Sequence, residues 1–188
     1  SSFDFFLERH LIFYSDLKNS FLNKEINHVL KKNIDEVINY RYEGVACGKY
    51  AISSSMRILR VSQIDLKKKS HKLCIFYNLK KSILYTNASL NYLKKYDVKF
   101  ALFNDRGYAG EGELYDLCVI KNIKCIQFIS TYKNNSLLIK KFTKSNKLDH
   151  PSSVGEKIWE ASSKFDLTLK QKNFLDNEIK NGYLKNTW

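Results

Sequence analysis

The chain has 188 residues, 44% hydrophobic and 27% charged, the usage of a folded globular protein rather than of a disordered tract. Its 32 Lys and Arg outnumber its 19 Asp and Glu for a net charge of +13; such a field attracts nucleic acid, anionic membrane surfaces or phosphorylated ligands without choosing among them. No apolar run approaches the roughly 20 residues of a spanning helix. The cysteines Cys47, Cys74, Cys118 and Cys125 form no CxxC pair, which argues against zinc-ribbon and thioredoxin-like chemistry.

With one Pro and seven Gly, no linker-like stretch divides the chain, and a single domain over 1–188 is expected, with 165–188 as a helical extension. Cys118 and Cys125 lie in apolar stretches, where free thiols behave as small hydrophobes, so a reduced, cytoplasmic protein is expected. The basic excess is mostly Lys, in runs such as Lys31-Lys32, Lys67-Lys68-Lys69, Lys94-Lys95 and Lys140-Lys141. Such runs suit solvated helix faces, whereas base reading favours the planar fork of Arg. Nucleic acid is therefore the less favoured partner.

In chain order, Leu22, Ile26, Val29, Leu30, Ile34, Val37 and Ile38 recur at three- and four-residue steps and predict one amphipathic helix over 20–39. Gly44 to Gly48 reads as a tight connection, followed by a helix over 51–61 that carries Arg57 and Arg60. Residues 67–71 read as an exposed bend. A helix over 76–96 precedes the short apolar run 99–104, a buried strand. The glycine-rich loop 105–112, a helix over 113–121 and a second buried strand over 124–129 complete a parallel crossover unit. Helices are expected over 134–143, 152–164 and 168–181, with Pro151 between the first two. A further strand is expected at 45–51 or 73–77.

The loop is the leading candidate site. It leaves the carboxyl end of a parallel strand, where open α/β sheets bind ligands. Gly107, Gly110 and Gly112 allow close backbone approach, and the loop feeds a helix N-terminus, which favours negative charge. Its G-x-x-G-x-G spacing is not the dinucleotide fingerprint, and no Gly-Lys-Ser/Thr follows, so NAD and P-loop chemistry are rejected. Asp105, Glu111, Glu113 and Asp116 form an acidic island in a basic chain, and a loop carboxylate there could take a proton from a hydroxyl. The alternative is that Asp105 or Glu111 merely caps the helix. His150 is a weaker candidate, no histidine shows metal-ligand spacing, and Arg57 with Arg60 could grip phosphate or simply solvate a helix.

Tyr42-Glu43-Gly44-Val45-Ala46-Cys47-Gly48, followed by Ser53–Arg60, resembles the tyrosine-x-glycine-x-x-x-glycine, serine and arginine stretch of bacterial capsular and surface polysaccharide biosynthesis proteins, glycosyltransferases of the two-domain GT-B type. The resemblance spans residues 40–165. It implies an α/β, Rossmann-like three-layer fold with a small parallel sheet and many helices, equivalent to the acceptor-side half of such an enzyme. A C-terminal domain would supply the nucleotide-sugar donor, which is a substrate, so no cofactor or metal is implied. The acceptor would be a glycan or lipid-linked chain at the inner membrane face. By the resemblance, Asp105 or Glu111 would be the catalytic base and basic residues would help hold phosphate-bearing or acidic glycan; with the loop glycines, this makes Arg106, Gly107, Gly110, Gly112, Arg57 and His150 the expected substrate-binding residues. The competing readings are a nucleic-acid-binding module and a non-catalytic interaction domain.

Overall fold

The computed structural model describes residues 20–131 and 135–184. The chain folds as a mixed α/β protein. Four helices come first: α1 (Ser20–Val29), α2 (Ile34–Ile38), α3 (Cys47–Leu59) and α4 (Lys69–Lys95). Strand β1 (Phe100–Phe103), helix α5 (Gly112–Ile120), strand β2 (Lys124–Ser130) and strand β3 (Leu137–Phe142) follow, then α6 (Glu156–Ser163) and α7 (Leu169–Ile179), which a π-helical turn over Lys180–Leu184 continues. The described residues divide into two compact units, those of 20–128 with 140–147, and those of 129–131 and 135–139 with 148–184.

The periodic stripe over 20–39 is two helices rather than one. The side chain of Asn33 accepts a hydrogen bond from the Glu36 N–H at 2.9 Å, capping α2 and ending the continuity with α1. The apolar period runs across the break because both segments face the same core: Leu22, Ile26, Val29, Leu30 and Val37 are all buried in it.

Tyr42 and Val45 exchange both backbone hydrogen bonds around Glu43 (φ 51°) and Gly44 (φ 79°). Two positive φ angles in a two-residue loop make a type I′ turn, which a glycine eases at the second position. The turn leads straight into α3, which begins four residues earlier than its apolar pattern indicates. Gly48 permits this: a Cβ there would lie 1.8 Å from the Val37 carbonyl oxygen, so α2 and α3 meet backbone to backbone. The segments 45–51 and 73–77, expected as alternatives for a further strand, form no named strand and contribute to α3 and α4.

Helix α4 packs against α1, α3 and α5 and starts seven residues before the expected position. The segment read as an exposed bend supplies its first turn. His71 is buried there, and its Nδ1 accepts from the Asp65 N–H at 3.1 Å.

The crossover unit stands as expected: β1 and β2 are parallel, with Phe100 opposite Lys124 and Phe103 opposite Gln127. The sheet is mixed rather than wholly parallel, in the order β1-β2-β3. Its β1 edge is not fully buried, since Phe100 and Leu102 are each 59% exposed. The helix expected over 134–143 is the strand β3 instead; residue 134 lies outside the described residues. Strand identity there depends on partnership with β2, which the local run Leu137-Leu138-Ile139 cannot reveal. A second core cluster, Phe103, Tyr115, Cys118, Val119, Cys125 and Phe142, closes the sheet against α5. Tyr115 sits edge-on to both Phe103 and Phe142, with centroids 5.5 and 5.8 Å away.

In the second unit, a capping box at Thr168 and Gln171 starts α7. Among its described residues only Gly182 is buried.

Candidate functional site

The loop between β1 and α5 is held from three directions within the first unit. From β2, the buried Gln127 donates through Nε2 to the Asn104 carbonyl at 3.0 Å, and its Oε1 accepts from Arg106 Nε at 2.9 Å. Arg106 also donates through Nη1 to the Lys147 carbonyl at 2.7 Å and lies over the rings of Phe142 and Tyr115, 4.0 and 4.7 Å from their centroids. Its guanidinium thus staples the loop to the second core cluster. From α3, the Ser54 hydroxyl accepts from the Ala109 N–H at 2.9 Å, and Arg57 stacks over the Tyr108 ring at 4.8 Å.

The glycines differ in what they do. Gly110 sits at φ 125°, a conformation side-chain-bearing residues rarely adopt. Gly112 is a close approach: a Cβ there would lie 2.3 Å from the Tyr50 ring. Gly107 has room, with its nearest neighbour, Asp105 Oδ1, at 3.5 Å.

The four carboxylates fall into two pairs. Glu113 is wholly buried, and its Oε2 accepts from the Gly110 N–H at 2.7 Å, locking the loop onto the head of α5. Asp116 Oδ2 accepts from the Ala46 N–H at 3.0 Å, placing negative charge at the start of α3. Tyr50 lies beside them. Burial, then the charges of Asp116 and Glu113, push its phenol well above the ordinary tyrosine range. Burial likewise raises the Cys47 thiol to about 11.

Asp105 and Glu111 remain on the loop itself. Asp105 Oδ1 accepts from the Arg106 and Gly107 N–H groups at 2.6 and 2.8 Å, an Asx-type turn. Glu111 is the N-cap residue of α5, yet its side chain makes no cap hydrogen bond. Its Oε2 accepts from the Asp105 N–H at 3.3 Å, and the residue is exposed. The capping alternative therefore holds for neither residue: Asp105 turns back on residues 106 and 107, and Glu111 makes no cap hydrogen bond to α5.

The structure brings Arg57, Asp105, Arg106, Gly107, Gly110, Glu111 and Gly112 into one neighbourhood. His150 belongs to the second unit, where its Nδ1 accepts from the Ser152 N–H at 3.1 Å. Ser54, Gln127 and Tyr50 escape a sequence reading. Ser54 meets Ala109 across 55 residues and Gln127 meets Arg106 across 21, separations that carry no local spacing signal.

Among the described residues, no group of three or more His, Cys, Asp or Glu is arranged to hold a metal ion, and no helix is long and apolar enough to cross a membrane. No family model matches the chain, and no curated protein and no solved structure matches it either.

Proposed function

We propose that this chain is the acceptor-side, Rossmann-like part of a two-domain glycosyltransferase of surface polysaccharide biosynthesis, with Glu111 as the base that activates the acceptor. The observation that carries this reading is the Glu111 carboxylate. It is exposed, stands beyond the carboxyl end of a parallel strand, and is not consumed by capping the helix it heads. In the reaction, Glu111 takes the proton of an acceptor hydroxyl as that oxygen bonds to the anomeric carbon of the donor sugar. The bond from that carbon to the phosphate oxygen breaks, and the nucleoside diphosphate leaves with the electron pair.

Asp105 shapes the loop, and Arg57 with Tyr108 forms a cationic and aromatic wall against which a sugar ring can stack. The donor is held by a second domain. The positive charge of the chain draws it to the anionic cytoplasmic leaflet, where lipid-linked acceptors lie. Titration of the isotope-labelled chain with an oligosaccharide acceptor tests the site. Amide shifts confined to 105–112 and the neighbourhood of Arg57 are expected; an unperturbed loop at saturating acceptor contradicts the reading.

A further inference from the structure

A second concave site lies at the other end of the sheet. Lys124 opens β2 opposite Phe100, the first residue of β1, whereas the loop 105–112 leaves the last. Around Lys124 is a cleft of about 440 Å³, lined by Val119, Asn122 and Ile123 after α5 and by 141–145 after β3. All of these residues belong to the first unit. The volume falls in the range of roughly 300–1,000 Å³ typical of small-molecule sites.

Its chemistry is one-sided. Val119 and Phe142, at 4% and 1% exposure, form an apolar floor, while the side chains of Lys124, Lys141 and Lys144 stand at an exposed rim. No carboxylate lines the cleft. Among the described residues, none of these three lysines is in an ion pair.

The turn below them is prearranged. Asn146 Oδ1 accepts from the Thr143 N–H at 2.7 Å and from its hydroxyl at 3.0 Å, and Asn146 Nδ2 donates to the Lys141 carbonyl at 3.0 Å. The Ser145 hydroxyl stands 2.9 Å from that of Thr143. Carbonyls at the end of α5 would repel an anion, and a Schellman cap occupies two of them: Asn122, at φ 59°, donates to Val119, and Ile123 donates to Cys118 at 2.8 Å.

We propose that this cleft binds the phosphate of a small phosphorylated ligand, its oxygens held by Lys124, Lys141 and Lys144 and its organic part on Val119 and Ile123. Lysines act on phosphate as point charges and need no bidentate geometry. A nucleic-acid strand is the poorer fit. The lining offers no exposed aromatic face for base stacking, since Phe142 is buried beneath Arg106. The proposal does not depend on the glycosyltransferase reading, because its three lysines and their turn lie outside the loop 105–112.

Inorganic pyrophosphate serves as the probe, titrated into the whole labelled chain. Amide shifts at 122–124 and 141–146 are expected, with affinity falling at least tenfold in the double variant Lys141→Ala/Lys144→Ala and unchanged in Glu111→Gln. The substituted side chains are exposed, and an unaltered thermal transition confirms the fold. Vesicles containing phosphatidic acid separate the sources. Binding abolished by the same double variant assigns the phosphate to a lipid headgroup, and failure to bind vesicles assigns it to a free ligand. Pyrophosphate shifts elsewhere, an unchanged affinity in the double variant, or lysine-dependent binding of RNA without any of pyrophosphate overturns the proposal.

Discussion

Arg60 ends α3 in the left-handed region at φ 53°, with its N–H donating to the Arg57 carbonyl and that of Val61 to the Met56 carbonyl. An L side chain in this conformation costs about 1 kcal/mol, so Arg60→Gly raises stability by about that amount, read as a higher midpoint in urea. Cys47 offers a second test. Its folded pKa is raised to about 11 from 9.0, so above pH 9 the unfolded chain loses a proton that the native state keeps. Stability therefore falls as pH rises from 9 and this contribution levels off beyond 11, at a total of about 3 kcal/mol. Tyr50 and Tyr40, both raised chiefly by burial, extend the decline above pH 10. Urea midpoints between pH 8 and 11 should slope less steeply for Cys47→Ala than for the native chain; identical slopes contradict the assignment.

At the scale of elements, the glycines that looked alike in sequence separate by what surrounds them. Gly48→Ala pushes a methyl against the Val37 carbonyl and costs about 3 kcal/mol, whereas Gly107→Ala meets only Asp105 Oδ1 at van der Waals distance and stays within about 0.5 kcal/mol. Paired denaturation curves check the contrast. The β1–α5–β2 unit was legible because each part announces itself locally: an apolar run, glycines, a helical period, then another apolar run. The break at Asn33 was not, since α1 and α2 share one core and the apolar stripe crosses it unbroken. Nor was β3, whose Leu137-Leu138-Ile139 followed by two lysines fits helix or strand until β2 lies beside it. The candidate loop was found from its glycines and acids, but the division of labour among Asp105, Glu111, Glu113 and Asp116 depends on Gly110 and on Ala46, which lies 70 residues from its partner.

Across the whole molecule, charge is divided as sharply as packing. Residues 148–188 carry six lysines against six carboxylates, so the net charge of +13 resides entirely in 1–147. The neutral part instead shows large apolar side chains, among them Trp159, Phe165 and Phe174, each more than half exposed. A basic chain with few arginines and no exposed base-stacking platform in its cleft should bind DNA or RNA only weakly. Filter binding at physiological salt should show affinity weaker than micromolar, and a micromolar or tighter, steeply salt-dependent complex would favour the nucleic-acid reading.

The proposed roles of Glu111, as the base for sugar transfer, and of Asp105, as the residue that shapes the loop around it, make separate demands on the kinetics. Sugar transfer from nucleotide-sugar donors to a lipid-linked or oligosaccharide acceptor, measured with the donor domain present, separates these roles. Glu111→Gln should lower kcat by about 10²–10⁴-fold with little change in acceptor KM, and Asp105→Asn should act more mildly and on both constants. Full activity in Glu111→Gln would rule out Glu111 as the base.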